Sequence, residues 1–225
     1  MRLKIDRNGL VIEARNELFH FIGQNHAQVL ELTLEHLWLV GWSTLFAIVI
    51  GIPVGIAIAR HPASSKPVLA SANIIQTIPS LALFGFLLPV PWLGDRADRL
   101  AILALTLYAL LPVIRGTYTG IRGVDPAVVE AGRGMGLTDS QLLFQVQLPL
   151  ALSVILSGVR VAIVISVGLA TIAAAIGAGG LGEFIFRGLA MVNNQLILAG
   201  AIPAAMLALL ADFSVGWLER RLQPR

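Results

Sequence analysis

The chain has 225 residues, of which 56% are hydrophobic and 13% charged, and a formal net charge of +3. Soluble domains carry about 25% charged residues, so an ordinary soluble domain is excluded. The sequence has no cysteine, which excludes disulfide staples and thiolate metal sites, while Lys and Arg sit at segment ends and not in a patch, which fits membrane orientation and not nucleic-acid binding.

The first 35 residues carry mixed charges and lack the apolar core of a secretory signal. Within them, Phe19 to Leu34 shows helical apolar spacing broken by Gln24, Asn25 and Gln28, which predicts an interfacial helix leading into the first span. This divides the chain into an N-terminal tail with an interfacial helix, residues 1–35, and a membrane domain, residues 36–222, with a loop at 122–149.

A helix needs about 20 apolar residues to cross the hydrocarbon core. Leu37 to Ala59 meets that length without a charge, as does Pro67 to Gly94, in which Pro79 predicts a bend. Leu100 to Ile114 is short, but Arg99 and Arg115 can snorkel and residues 116–121 can extend it. The fourth run follows Pro149 and reaches Ile176, interrupted by Arg160; the fifth runs from Leu196 to Trp217 and contains Asp212. The expected class is an all-α polytopic membrane protein of about five transmembrane helices.

Loop charge gives the orientation. With the N-terminus outside, Arg60, Lys66, Arg115, Arg122, Arg133, Arg220, Arg221 and Arg225 face the cytosol, and Arg96, Arg99 and Arg187 face outward. The positive-inside rule favours that arrangement; the basic tail (Arg2, Lys4, Arg7, Arg15) opposes it. Trp38, Trp42 and Trp92 would then lie near the outer face and Trp217 near the inner one, as interfacial anchors.

Three spans carry small residues at every fourth position: Ala47 to Ala59, Gly158 to Ala178, and Gly200 to Gly216. Such faces let helix backbones approach, so they read as packing seams. The second span instead carries Asn73, Gln76, Thr77 and Ser80 at the spacing of one helical face. Polar groups in hydrocarbon need partners or water. The stripe is therefore either an interhelical hydrogen-bonding seam or a wetted translocation path. Arg160 faces away from its own span's small seam and should meet protein, water or a counter-ion, with Asp212 a candidate partner.

The loop can be read residue by residue. Asp125-Pro126 is an N-cap followed by proline at the first helical position. The helix should run to about Met135, and Gly136 suits a left-handed C-terminal cap. Thr138 and Gln141 form a capping box for a second short helix, and Pro149 marks the expected break before the fourth span. Val128, Val129, Leu142, Leu143 and Val146 are apolar groups in a segment expected to be cytosolic. They either pack on this chain or dock in a groove of another protein.

The segment 130–149 resembles the EAA loop of ABC-importer permeases. Glu130, Ala131, Gly136, Leu148 and Pro149 fall in register, while Gly132 replaces the second Ala and Val146 the usual Ile. In that family the loop docks on a separate ATPase, which makes 122–149 a cytoplasmic coupling loop and Glu130 a polar contact or cap and not a catalytic carboxylate. The segments Gly51 to Gly55, Thr77 to Leu83 and Gly177 to Gly188 look like the osmoprotectant branch, which imports glycine betaine, choline, carnitine or proline betaine. The resemblance covers residues 20–222. It implies a type I ABC-importer permease fold, an ATPase partner, an extracellular or periplasmic solute-binding protein, a second permease chain (homodimer or heterodimer) and a bacterial plasma membrane. No cofactor is implied. A methionine-importer permease shares the five-span plan and is the alternative within the class. For a quaternary-ammonium solute the path needs weak neutral contacts from Asn73, Gln76, Thr77 and Ser80. Tyr108 is either a packing residue or a cation–π contact worth about 0.5–2 kcal/mol.

An intramembrane enzyme is the rival class. Glu35-His36 and Asp95/Asp98 are its suggestive groupings, but no His-Glu-x-x-His motif occurs, nor a visible Ser-His-acid arrangement. Gly132, Gly134 and Gly136 lack a phosphate-loop Lys. A secondary transporter, the third class, would work without an ATPase.

Overall fold

A computed structural model describes residues 23–222. The basic tail, residues 19–22 of the expected interfacial helix and Arg225 lie outside them. From His26 the chain already belongs to helix α1 (His26–Arg60), which at 35 residues exceeds the hydrocarbon thickness. Residues 26–35 are therefore continuous with the helix of the first span and do not form a separate helix. Neither proline nor glycine occurs between His26 and Trp38, so α1 has no helix breaker there.

The second apolar run is two helices, α2 (Pro62–Thr77) and α3 (Ser80–Leu87), which meet at 96°. Ile78 and Pro79 are extended, with ψ of 128° and 133°. Proline disfavours helical geometry in the residue before it and supplies no N–H to the turn behind it. The remaining long helices are α4 (Ala97–Arg122), α7 (Leu148–Ala173) and α9 (Asn194–Leu222), with the short α5 (Pro126–Gly134), α6 (Asp139–Gln141) and α8 (Gly182–Ala190) between them. Among the described residues four helices are long and apolar enough to span, or five if the bent pair counts as one.

α4 lies at the centre, packed between α1 and α7, and α9 packs on α7 and α8. The core forms layers along these helices. Leu39, Leu100, Leu105, Val167 and Ala170 fill one end together with Leu83 and Phe84 of α3. Ala47, Ala109, Val113, Val159 and Ala162 fill the middle. Ala59, Ile121, Leu143, Ala151 and Ile155 fill the other end. The small-residue seams hold these layers together. A Cβ at Gly158 would lie 2.5 Å from the Pro112 carbonyl oxygen and 3.1 Å from Gly116 Cα. The α4 and α7 backbones therefore touch, which only glycine permits.

Candidate functional site

The loop expected to meet an ATPase is built by local hydrogen bonds. Asp125 Oδ1 accepts from Ala127 N–H at 2.8 Å, capping α5. At the other end Gly136 has φ +86°, its N–H donates to Arg133 O at 2.9 Å, and Leu137 N–H donates to Gly132 O at 3.2 Å. These two bonds are a Schellman cap, which a β-branched residue at 136 would strain. Thr138 and Gln141 complete the expected capping box, with Thr138 N–H donating to Gln141 Oε1 at 2.9 Å and Gln141 N–H to Thr138 Oγ1 at 3.3 Å.

Two expectations fail here. Pro149 does not break the chain, because a π-helical stretch, Leu142–Gln147, joins α6 to α7 and makes Asp139–Ile176 one rod of 38 residues. Leu148 N–H reaches back to Leu143 O, and the widened turn accommodates a proline ring that would otherwise meet the carbonyl four residues back. Second, Leu142 and Leu143 are not free for a partner; both are buried in this chain. Leu142 Cδ1 occupies the place where a Cβ at Gly132 would sit, 2.7 Å away, which accounts for glycine at that position. Val129 and Val146 are half-buried, and Leu148 is too. The apolar groups left outward are Val128, Met135 and Phe144, the last two 76% and 66% exposed, beside exposed Glu130, Ala131 and Pro149. Met135 and Phe144 escaped the sequence reading. The helical phase of Phe144, opposite to buried Leu142 and Leu143, was the available signal. The Arg60 guanidinium ties the loop to α1 by donating to Asp139 O at 2.8 Å. A cavity of about 640 Å³ between loop and helix ends is lined by Arg60, Arg122, Glu130 and Arg133 among others.

The polar stripe is divided by the elbow. Asn73, Gln76 and Thr77 lie on α2, but Ser80 begins α3 beyond the 96° bend and does not continue their face. Thr77 Oγ1 donates to Ile74 O in its own helix at 2.7 Å. Gln76 Nε2 donates to Tyr108 O at 2.7 Å, and the Tyr108 hydroxyl donates to Ile78 O. These two crossed bonds clasp the elbow to α4. Tyr108 is buried in the core cluster, which leaves no open ring face for a cation. Asn73 Oδ1 accepts from Arg115 Nη2 at 3.3 Å. Gln76 and Arg115 line a groove of about 390 Å³ between α2, α4 and α7, with Thr119 and Ser157 as its other polar side chains.

The intramembrane charges find one another. Arg160 Nε and Nη2 donate to Asp212 Oδ1 and Oδ2, each at 2.6 Å, a bidentate geometry that fixes both planes. Glu219, missed in the sequence, lies 3.8 Å from Arg160 Nη1. It stands two turns after Asp212 on the same face of α9, a signal the spacing contained. Gly216 between them leaves room for the guanidinium, since a Cβ there would approach Nη1 to 3.0 Å.

The groupings weighed for an enzyme are structural. Glu35 Oε2 accepts from Gly180 N–H at 2.9 Å, and fully buried His36 donates from Nε2 to Val167 O at 3.2 Å. Glu35 thereby ties the glycine loop between α7 and α8 to α1, and His36 ties α7 itself to α1. Asp98 lies in the first turn of α4, Asp95 in the turns before it. Among the described residues no three His, Asp or Glu side chains gather as metal ligands.

Comparison with known proteins agrees with this architecture. A family model described as "Binding-protein-dependent transport system inner membrane component" matches residues 47–224. The chain is 47% identical over 214 residues to the glycine betaine/carnitine/choline transport system permease protein OpuCD of Bacillus subtilis (strain 168), covering 95% of this chain and 92% of that one. It is 46% identical over 209 residues to the choline transport system permease protein OpuBD of the same organism, covering 92% and 91%. In fold it is similar to a chain of the MetNI methionine ABC transporter in an inward-facing conformation, with a TM-score of 0.80 at 24% identity, over 87% of this chain and 96% of that one. The multi-pass chain, all-helical among the described residues, therefore belongs to the binding-protein-dependent transport system inner membrane components, as a permease subunit of an ABC importer.

Proposed function

We propose that this chain is the membrane-spanning subunit of an ATP-driven importer of osmoprotectants, meaning glycine betaine, carnitine, choline or similar quaternary amines. The observation that carries this reading is 47% identity over nearly the whole chain to a permease named for those solutes. The likeness to a methionine transporter at 24% identity speaks for the fold alone. The chain performs no catalysis; ATP is hydrolysed in a separate subunit. A solute-binding protein delivers the solute from outside, and a second permease chain completes the path.

Residues 130–149 transmit the ATPase movement. Glu130, Ala131 and Pro149 supply exposed contacts, Val128, Met135 and Phe144 the apolar ones, and Gly132, Gly136, Val146 and Leu148 hold the loop's shape. Asn73, Gln76 and Thr77 lie along the path, with Ser80 on the far side of the elbow. The Arg160–Asp212 pair fastens α9 to α7 and does not touch solute. The N-terminus is outside and the C-terminus cytoplasmic, a reading supported by loop charge.

Two measurements test this. Proteoliposomes holding the chain with its ATPase and binding protein should accumulate radiolabelled glycine betaine or choline only when ATP is present; ATP-independent uptake would point to a secondary transporter. For orientation, an impermeant thiol reagent on intact cells should label Asp95→Cys and spare Asp139→Cys. The reverse pattern would invert the topology and remove the coupling role with it.

A further inference from the structure

Arg115 and Arg160 both lie on long helices, and the fold treats them differently. Arg160 is neutralised by Asp212 in bidentate contact, with Glu219 nearby. Arg115 lies two helical turns before Arg122, the last residue of α4, or about 10 Å along the axis. Its one described partner is the neutral Asn73 amide, and no carboxylate forms an ion pair with it among the described residues. Arg115 is exposed, a charge at the flank of its span whose guanidinium is open to the groove beside it.

Arg115 is also placed to be used. It lines the groove between α2, α4 and α7, whose lining contains no acidic residue. At about 390 Å³ the groove falls within the range of small-molecule sites, about 300–1,000 Å³. Ser157, on the α7 wall, offers a hydroxyl donor, and Gln76 retains its amide oxygen after donating to Tyr108. The apolar floor is Leu111, Pro112 and Gly158, where α4 and α7 touch. A neutral-to-apolar floor below one unneutralised guanidinium suits a molecule with a carboxylate at one end and a bulky, weakly hydrated group at the other.

We propose that Arg115, with Ser157 across the groove, receives the carboxylate of a zwitterionic solute, so that the permease itself favours carboxylate-bearing quaternary amines over choline. This rests on the osmoprotectant reading above and adds a selectivity determinant within the membrane. The guanidinium fork matches a carboxylate in plane and in charge, whereas the hydroxyl of choline offers no anion. Asn73 holds the guanidinium toward the groove between passages.

The test compares glycine betaine with choline, which share the trimethylammonium group, in proteoliposomes of the full transporter. Arg115→Gln should lower the glycine betaine to choline uptake ratio about ten-fold, the loss of one charge-assisted contact, with membrane insertion and ATPase co-purification retained. Arg115→Lys, which keeps the charge but not the fork, should recover part of the ratio. An unchanged ratio in Arg115→Gln, or equal loss of both solutes in both variants, overturns the proposal. If the wild type carries choline alone, the carboxylate subsite is refuted while the osmoprotectant reading survives. If it carries neither, that reading itself has failed. If it carries the zwitterion alone, recovery of uptake by Arg115→Lys supports the proposal and equal loss in both variants refutes it. Repeating the assay in liposomes without anionic lipid separates the remaining source of an anion. An Arg115→Gln effect that disappears there assigns the site to a lipid headgroup and overturns the solute role.

Discussion

Pro79 and Pro149 are the same residue with opposite outcomes. At Pro79 the second span turns through 96°; at Pro149 the chain continues as one rod from Asp139 to Ile176. The difference lies in what surrounds each proline. Behind Pro149 the backbone has a π turn that widens the ring closure and makes space. Around Pro79 the chain is extended on both sides of the bond, and the freed Ile78 carbonyl is taken up by the Tyr108 hydroxyl while Phe84 is held in the core. A proline removes one hydrogen bond and one conformation; neighbours decide whether the result is a rod or an elbow. The rod suits a lever joining the capped loop to the long helices, and the elbow suits an element that lines or shapes a path.

The largest expected effect breaks the rod side of this comparison. Gly136→Val places a β-branched side chain at φ +86°, at a cost of about 1–3 kcal/mol, and misorients α5 on the end of the lever. The variant should still insert, while ATPase co-purification and coupled uptake fall at least ten-fold. Undiminished uptake would show that the loop geometry is not what carries the movement.

Next comes the elbow. With Pro79→Ala the N–H is restored, yet Leu83 and Phe84 remain anchored in the α3–α4 core, so the bend should persist. Because the chain lacks cysteine, spin labels can be placed at Ala70 and Phe86 and their separation measured in both backgrounds. A lengthened separation in the alanine variant would assign the bend to proline alone. Tyr108→Phe removes the clasp on the Ile78 carbonyl and should cost about 1 kcal/mol, lowering the thermal midpoint by about 2–4 °C. Cysteines at 77 and 80 should also react faster with a thiol reagent in that background.

The smallest effect sharpens the other proline. Pro149→Ala allows the π turn to relax to α register, at a change of no more than about 1 kcal/mol in either direction. Because a one-residue register change rotates side chains by about 100°, Leu142 should lose its seat on Gly132 if the turn relaxes. A cysteine at 142 would report this as new reactivity; unchanged protection would mean that the packing of Leu142 and Leu143, and not the proline, maintains the wide turn.

Much of the capped loop was legible in the sequence because its bonds are local. Asp125, Gly136, Thr138 and Gln141 each act on backbone within a few residues, so residue type and spacing suffice. The burial of Leu142 and Leu143 was not legible, since Leu143 packs with Ala59 and Ile121 from other helices and Leu142 sits on Gly132 of α5. The same holds for Ser80, separated from Asn73, Gln76 and Thr77 by an angle that no helical wheel contains. Glu35 and His36 suggested chemistry as neighbours in sequence, yet their partners are Gly180 and Val167, more than a hundred residues away.

By itself the sequence determined the membrane class, the placement of the long helices, the small-residue seams, the caps of the loop and the need of Arg160 to face protein, water or a counter-ion. These follow from composition, from periodicity and from hydrogen bonds that close within one turn. Only the tertiary structure decided that the second span is an elbow, that Pro149 lies in a continuous rod, that Asp212 with Glu219 beside it meets Arg160, and that Arg115 is left with a neutral amide at the edge of a groove. Each of those depends on which helix face lies opposite, and the chain specifies that only through the packing of all its helices at once.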